Sequence, residues 1–166
     1  MIAFNVLGTP APKGSARAMI HPHTRKAILR PGSSKTGELK IRSWSAAVRE
    51  AARDAAGDRA APVYVGAPLT VAIVFRVARP AGHWGTGRNA GSVKPGSPAA
   101  PMTKPDIDKL ARCTLDALTG IVIDDDARIA SLCVVKQWAE PGTEGASIRI
   151  EAVGENDDQG ADGAEG

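Results

Sequence analysis

Apolar positions along the chain recur with two periods. Ile2 to Leu7 alternates as a first strand, and Gly8-Thr9-Pro10-Ala11-Pro12-Lys13-Gly14 then breaks regular structure, so a loop is expected to follow. Between Lys35 and Ala56, Leu39, Ile41, Trp44, Ala47, Val48, Ala51 and Ala55 recur near helical spacing, with Lys40, Arg42, Arg49, Glu50 and Arg53 largely off that stripe. This predicts the longest helix. Leu69 to Val77 is short and rich in β-branched residues, which predicts a core strand. Farther on, Asp106 to Thr119 reads as a helix stopped by Gly120, Ile129 to Trp138 as a strand, and Ser147 to Val153 as a last strand.

Between the third and fourth of these elements the pattern fails. Ala78 to Pro105 holds five glycines and five prolines, and its only charges are basic: Arg79, His83, Arg88, Lys94 and Lys104. No packed element is expected there; a flexible arm that orders on nucleic acid and an unstructured insertion both fit. Trp44 and Trp138 are expected in the core, and Trp84, inside the glycine-rich arm, is a candidate for stacking on a base. His21 and His23 flank a proline without a partner cluster and read as surface residues.

The elements predict an α+β fold, one small domain over residues 1–153 with a mixed β-sheet packed by helices. Residues 154–166, rich in Gly, Asp and Glu, read as a disordered acidic tail. A chain of 166 residues with 43% hydrophobic content can bury one substantial core, which leaves no need for a second domain. No run of about eighteen apolar residues and no signal-like start occur, so a soluble cytoplasmic protein is expected. Cys113 and Cys133 lie in apolar-periodic segments without metal-ligand spacing and are expected to be buried free thiols.

Charge changes this picture. The formal net charge is +3, but residues 151–166 carry six of the 18 acids and no Lys or Arg, so the body sets 21 basic residues against 12 acidic ones, a net of +9. Such a body suits a polyanion, since each neutralised phosphate releases a condensed counterion. A solvated basic surface fits the same count.

The chemistry concentrates in two acidic clusters, Asp106 with Asp108 and the run Asp124-Asp125-Asp126. Pro105 favours an extended residue before it and can open a helix after it, so Asp106 and Asp108 sit at an extended-to-helix junction where both carboxylates can point to one side. The helix then carries Leu110, Ala111, Thr114, Leu115 and Leu118 inward and sets Asp108, Arg112 and Asp116 in a row on another side. The chain is expected to turn at Gly120 and run back through Ile121-Val122-Ile123, bringing the second cluster beside the first. Clustered carboxylates repel unless a cation binds them, and Mg²⁺ or Mn²⁺ takes carboxylate, water and phosphate oxygens and activates a bound water. The alternative is that Asp106 or Asp108 is a helix cap and the aspartate run an Asx-type turn.

These residues resemble a known family. Lys104-Pro105-Asp106-Ile107-Asp108-Lys109-Leu110, then Leu115-Asp116-Ala117-Leu118, then Asp125-Asp126-Ala127-Arg128-Ile129 and Lys136, are similar in order and spacing to the RusA Holliday junction resolvase pattern KPDxDNL, DAL, DDxQV and a distal lysine. The opening from Gly8 to Gly14 resembles the same family's glycine/proline/lysine start. The resemblance implies a homodimer, phage- or prophage-encoded, that uses Mg²⁺ or Mn²⁺ to nick four-way junction DNA symmetrically in recombination and repair. It implies metal binding by Asp106, Asp108, Asp125 and Asp126, with Asp106, Asp108, Asp126 and Arg112 catalytic. Arg112 stands where the family has a lysine, and a guanidinium clamps phosphate rather than donating a proton. Lys109 replaces the usual Asn, and Ser15-Ala16-Arg17 replaces a Pro/Arg pair. Lys13, Arg17, Arg88, Lys94, Lys104, Lys109 and Lys136 are the expected DNA contacts. Two other readings stand beside this one: a non-catalytic DNA-binding protein whose aspartates only cap and turn, and a phosphohydrolase built on the Asp-x-Asp motif.

Overall fold

The fold is organised by a strand whose residues alternate without exception. In the strand Leu69–Val77, Leu69, Val71, Ile73, Phe75 and Val77 are buried, while the residues between them are partly exposed, as expected of a central strand with one face on the core. The computed structural model describes residues 1–14, 17–30, 34–59 and 62–154. In chain order the elements are β1 (Ile2–Leu7), β2 (Arg17–Ile20), β3 (Ala27–Arg30), α1 (Lys35–Ala56), β4 (Leu69–Val77), α2 (Ile107–Leu118), β5 (Ile129–Trp138) and β6 (Gly145–Ala152).

Four strands form a mixed sheet in the order β1-β6-β4-β5. β6 pairs antiparallel with both β1 and β4, whereas β4 and β5 are parallel. A parallel neighbour needs a long crossover, and this one contains α2. Gly145 opens β6 because it must: a Cβ there would lie 1.9 Å from the carbonyl oxygen of Val6. Between the first two pairs of β4 and β5 the register shifts, so that Leu69 faces Ile129 but Thr70 faces Ser131, and Ala130 is the extra residue of a bulge.

The inward face of the sheet and the two helices enclose the core. α1 starts at Ser34, whose hydroxyl accepts from the amide of Gly37 at 3.2 Å, and it buries Trp44, Val48 and Ala52. α2 buries Leu110, Ala111, Cys113, Thr114, Ala117 and Leu118. The helices are clasped by Trp44 Nε1, which donates to Thr114 Oγ1 at 3.1 Å, and the indole also meets the Phe75 ring at 6.4 Å. Burying side chains of this size stabilises by roughly 1.5–3 kcal/mol each, so the seam fixes where α2 sits.

The predicted strands and helices appear within two residues of their expected ends, and the sheet is mixed as expected. Four expectations are corrected. The segment after Gly14, expected as loop, contains the antiparallel hairpin β2–β3, which joins no other sheet. The stretch from Ala78 to Pro105 is folded: it contains two 3₁₀ turns, Ala81–His83 and Gly87–Asn89, and bridges joining Trp84 to Val93 and Gly85 to Ala90. It is held against Trp138, whose Nε1 donates to Pro98 O at 2.9 Å; Arg79 also donates to Pro98 O and lies over the indole, and the His83 ring meets it edge-on at 5.5 Å. Trp138 is therefore half-buried rather than core. Cys113 is buried as expected, but Cys133 is exposed on β5, because it pairs beside Ala72 on the face of the sheet turned away from the core. The expected tail, from residue 155 onward, lies outside the described residues.

Candidate active site

Asp106 occupies the N-cap position of α2 (φ −69°, ψ 136°) but accepts no helix amide through its side chain. Its carboxylate turns to Lys109, one helical turn on, with Nζ 2.5 Å from Oδ2. This hydrogen bond, the charge of the same Lys109, and the nearby charges of Lys104 and Lys136 hold the Asp106 carboxyl below its ordinary value. Asp108 lies in the first turn of α2 and is exposed, and its carboxylate makes no hydrogen bond or ion pair among the described residues. A carboxylate near a helix N-terminus is favoured by the helix dipole.

Asp106 opens into a cleft of about 450 Å³, lined on one side by Thr9 to Pro12 and Gly14 and on the other by Lys40, Lys104, Pro105 and Lys109. The proline-rich opening of the chain thus forms one wall. It is docked on α2 by the Lys13 amide, which donates to the Lys109 carbonyl at 3.0 Å, and by an ion pair between Lys13 and Asp116. The other wall is tied to the sheet by Lys136, whose Nζ donates to Thr103 O at 2.8 Å and Pro105 O at 2.9 Å. Lys13 and Lys136, expected as DNA contacts, are thus engaged within the protein. Lys104 is exposed, Lys109 is partly so, and both line the cleft. The Lys104–Pro105 peptide is cis.

The second acidic cluster lies elsewhere. Ile123 bridges to Tyr64 and Thr119, and Asp124 then accepts from the amide of Gly66 at 3.1 Å and from that of Asp125 at 2.9 Å, with Arg128 Nε at 3.7 Å. The Gly66 amide is the main reason that the Asp124 carboxyl is held below its ordinary value. Asp125 caps the 3₁₀ turn Asp126–Arg128, its Oδ1 accepting from Ala127 N at 2.9 Å. The turn reading therefore describes Asp124 and Asp125. Asp126 is exposed, and among the described residues its carboxylate has no partner.

Within one chain the two clusters stand at opposite ends of the crossover. Asp106 and Asp108 begin α2 beside Lys136, near the end of β5, whereas the Asp124–Asp126 run follows α2 and leads into the start of β5. Twelve helical residues rise roughly 18 Å, and the strand from Ile129 to Lys136 covers about 23 Å. The expectation that the second cluster returns beside the first does not hold in the single chain: a helix joining parallel strands carries the chain back the full length of the sheet before the next strand starts. Accordingly, no group of three or more His, Cys, Asp or Glu side chains converges among the described residues.

Of the other expected residues, Arg112 is exposed on α2 four residues beyond Asp108, and Arg88 is exposed on the second 3₁₀ turn. Lys94 Nζ donates to Gly82 O at 3.0 Å within the loop that Trp138 anchors. The side chain of Arg17 lies outside the described residues. Sequence reasoning overlooked Lys40, which reaches the cleft from the polar side of α1; its place off the apolar stripe was the available signal.

A family model described as endodeoxyribonuclease RusA matches residues 11–151. The chain belongs to the RusA family. A search of curated proteins finds no match. The matched span runs from one wall of the cleft to the end of β6, so it takes in both acidic clusters, α2 and the lysine of β5. No described helix of this RusA-family chain is long and apolar enough to cross a membrane.

Proposed function

We propose that this RusA-family protein is a Holliday junction resolvase: an Mg²⁺- or Mn²⁺-dependent endonuclease that works as a homodimer and nicks symmetric strands of a four-way junction. The observation that carries the reading is the ion-paired Asp106 in a cleft bordered by Lys40, Lys104 and Lys109, with the exposed Asp108, unpartnered among the described residues, two residues on. Lysines draw in a phosphate, and carboxylates beside them draw in a cation, which together is the charge arrangement phosphodiester hydrolysis requires.

The donor set fits a hard divalent ion. Mg²⁺ is usually held by one or two carboxylates, with waters and phosphate oxygens completing the shell, and Asp108 offers an exposed carboxylate that no described cation neutralises. When bound, the ion supplies charge neutralisation at the phosphoryl group and an acidified water. The chain's own residues do the rest. Lys109 fixes the rotamer of Asp106, Lys136 fixes the segment that carries it, and Lys40 and Lys104 border the path of the DNA backbone. Arg112, as a permanently charged fork, suits a phosphate clamp.

Separation of the clusters supports the homodimer. One chain offers Asp106 and Asp108 at one end of α2 and Asp126 at the other, so a two-fold pairing that sets α2 against its symmetry mate head to tail brings Asp126 of each chain to the aspartate pair of the other. Two equivalent composite sites then face two strands, as symmetric nicking needs.

The test is Mg²⁺-dependent nicking of a four-way junction compared with linear duplex and a small phosphate ester. Junction-selective cutting is expected. Binding without cutting would favour a non-catalytic DNA-binding protein, and hydrolysis of the ester alone a phosphohydrolase.

A further inference from the structure

The first 37 residues contain six Lys or Arg and no Asp or Glu; the first acid of the chain is Glu38. Four of those six cations, Arg17, Arg25, Lys26 and Arg30, fall within the hairpin β2–β3, whose strands pair with each other and with no strand of the main sheet. The hairpin has little packing against any helix. Its described side chains are correspondingly open: Pro22 to Ala27 are all exposed, and Met19 and Ile20 are 47% and 71% exposed. A core does not explain this element, since none of its described side chains from Ala18 to Ala27 is buried.

The tip is nevertheless built. His21 Nδ1 accepts from the amides of both His23 and Thr24, at 3.3 and 3.2 Å, so the imidazole stands inside the turn as its acceptor. The His21 amide donates to Lys26 O and the Arg25 amide to His21 O, both at 2.9 Å. Arg25 holds φ at 52°, a left-handed conformation that Gly or Asn would adopt more easily. The turn therefore presents a guanidinium and the neighbouring Lys26 ammonium outward on a backbone that its own hydrogen bonds hold in place.

We propose that the β2–β3 hairpin is a DNA-gripping arm, contacting the phosphate backbone of one duplex arm of the junction through Arg25 and Lys26, separately from the cleft at Asp106. Charge selects the occupant. A second copy of this chain offers a body that is itself basic, whereas duplex DNA offers a row of phosphates spaced to take several cations, with Met19 and Ile20 free to lie against sugars in the groove. The proposal rests on the junction endonuclease reading, and it adds a contact that the cleft does not supply.

The experiment compares the wild-type protein with the Arg25→Ala/Lys26→Ala double variant, and with Arg53→Ala/Arg59→Ala, which removes the same charge from the far end of α1. Junction affinity is measured in Ca²⁺ at several salt concentrations. Loss of two phosphate contacts is expected to make the slope of log K against log[salt] shallower by about 1.8, with the Arg53/Arg59 pair changing it much less. Equal changes in the two double variants would overturn the proposal, since the hairpin would then be ordinary surface charge. Unchanged affinity together with weaker self-association would overturn it in favour of a protein interface. Junction cutting by the wild-type protein is scored in parallel: failure there removes the endonuclease reading, whereas cutting with an unaltered hairpin-variant slope removes only the arm.

Discussion

Lys109 Nζ lies 2.5 Å from Asp106 Oδ2, so the first carboxylate of the Asp-x-Asp segment is ion-paired while Asp108, two residues on, has no partner among the described residues. Lys109→Met is expected to raise the Asp106 pKa back toward the ordinary carboxylate value, read by NMR titration of the carboxyl carbon. The sign for stability follows from the lowered pKa in the folded state. The contribution is fully present above the unfolded value and is lost as pH falls through the folded one. Melting curves of wild type and variant should therefore differ at neutral pH and converge below about pH 4. An unshifted Asp106 titration in the variant would rule out the ion pair in solution.

The opposite placement of Asp108 and Asp126 on the crossover gives the composite site a sharp signature. Each of Asp108→Asn and Asp126→Asn is expected to abolish nicking while retaining junction binding, because the basic surface is untouched. Mixed after co-refolding, the two inactive proteins should recover activity: a heterodimer has one site carrying both substitutions and one carrying neither. Single-strand nicking without paired resolution is the expected product. No recovery in verified heterodimers would place the whole site within one chain.

The three consecutive aspartates are expected to divide by role. Asp126, exposed and unpartnered among the described residues, should be most damaging to nicking when changed to Asn, Asp125 intermediate through loss of its cap on Ala127, and Asp124 nearly silent. Asp124→Ala should instead lower Tm, since it removes the acceptor for Gly66 and the partner of Arg128. Because the Asp124 pKa is lowered on folding, that Tm difference should shrink as the solution is acidified below about pH 4. Loss of cutting at Asp124→Asn with activity kept at Asp126→Asn would reverse the assignment.

Lys136→Met tests whether the strand lysine supports the site or touches DNA. Its ammonium donates to two backbone carbonyls just before Asp106, so the nicking rate at saturating junction should fall while the salt dependence of binding stays as in wild type. A shallower slope by about one would instead mark a phosphate contact.

Thr114→Val replaces a buried hydroxyl with a methyl group of similar shape and leaves Trp44 Nε1 without an acceptor. A cost of about 1–3 kcal/mol is expected, and each 1 kcal/mol lowers Tm by about 2–4 °C for a chain of this size. Denaturant titration measures it directly. A near-neutral result would show that the indole finds another acceptor.

What the sequence disclosed follows from what burial imprints on it. β4 was readable to the residue, since every second side chain enters the core, and so were α1 and β5. The hairpin at Arg17–Arg30 was not, because strands outside the main sheet whose described side chains are largely exposed carry no burial alternation. The loop from Ala78 to Pro105 was missed for a related reason: it is held by single contacts, such as Arg79 and Trp138 meeting at Pro98 O, that have no period. The acidic residues were visible as chemistry, and their placement was hidden. Whether Ile121-Val122-Ile123 returns the chain to Asp106 or carries it on into a parallel strand depends on β4, which is distant in sequence.

The bulge at Ala130 makes strand register, and not only residue type, a requirement of this protein. Pairing starts at Ile129 opposite Leu69 and resumes at Ser131 opposite Thr70. If Ala130 instead entered the ladder opposite Thr70, every later side chain of β5 would slip by one residue and change sides. Cys133 would turn toward the helices, and Lys136 would point away from Thr103 and Pro105. The segment between Arg128 and Leu132 thus acts as a parity setting: by keeping Ala130 out of the ladder it decides which face each later side chain of β5 enters.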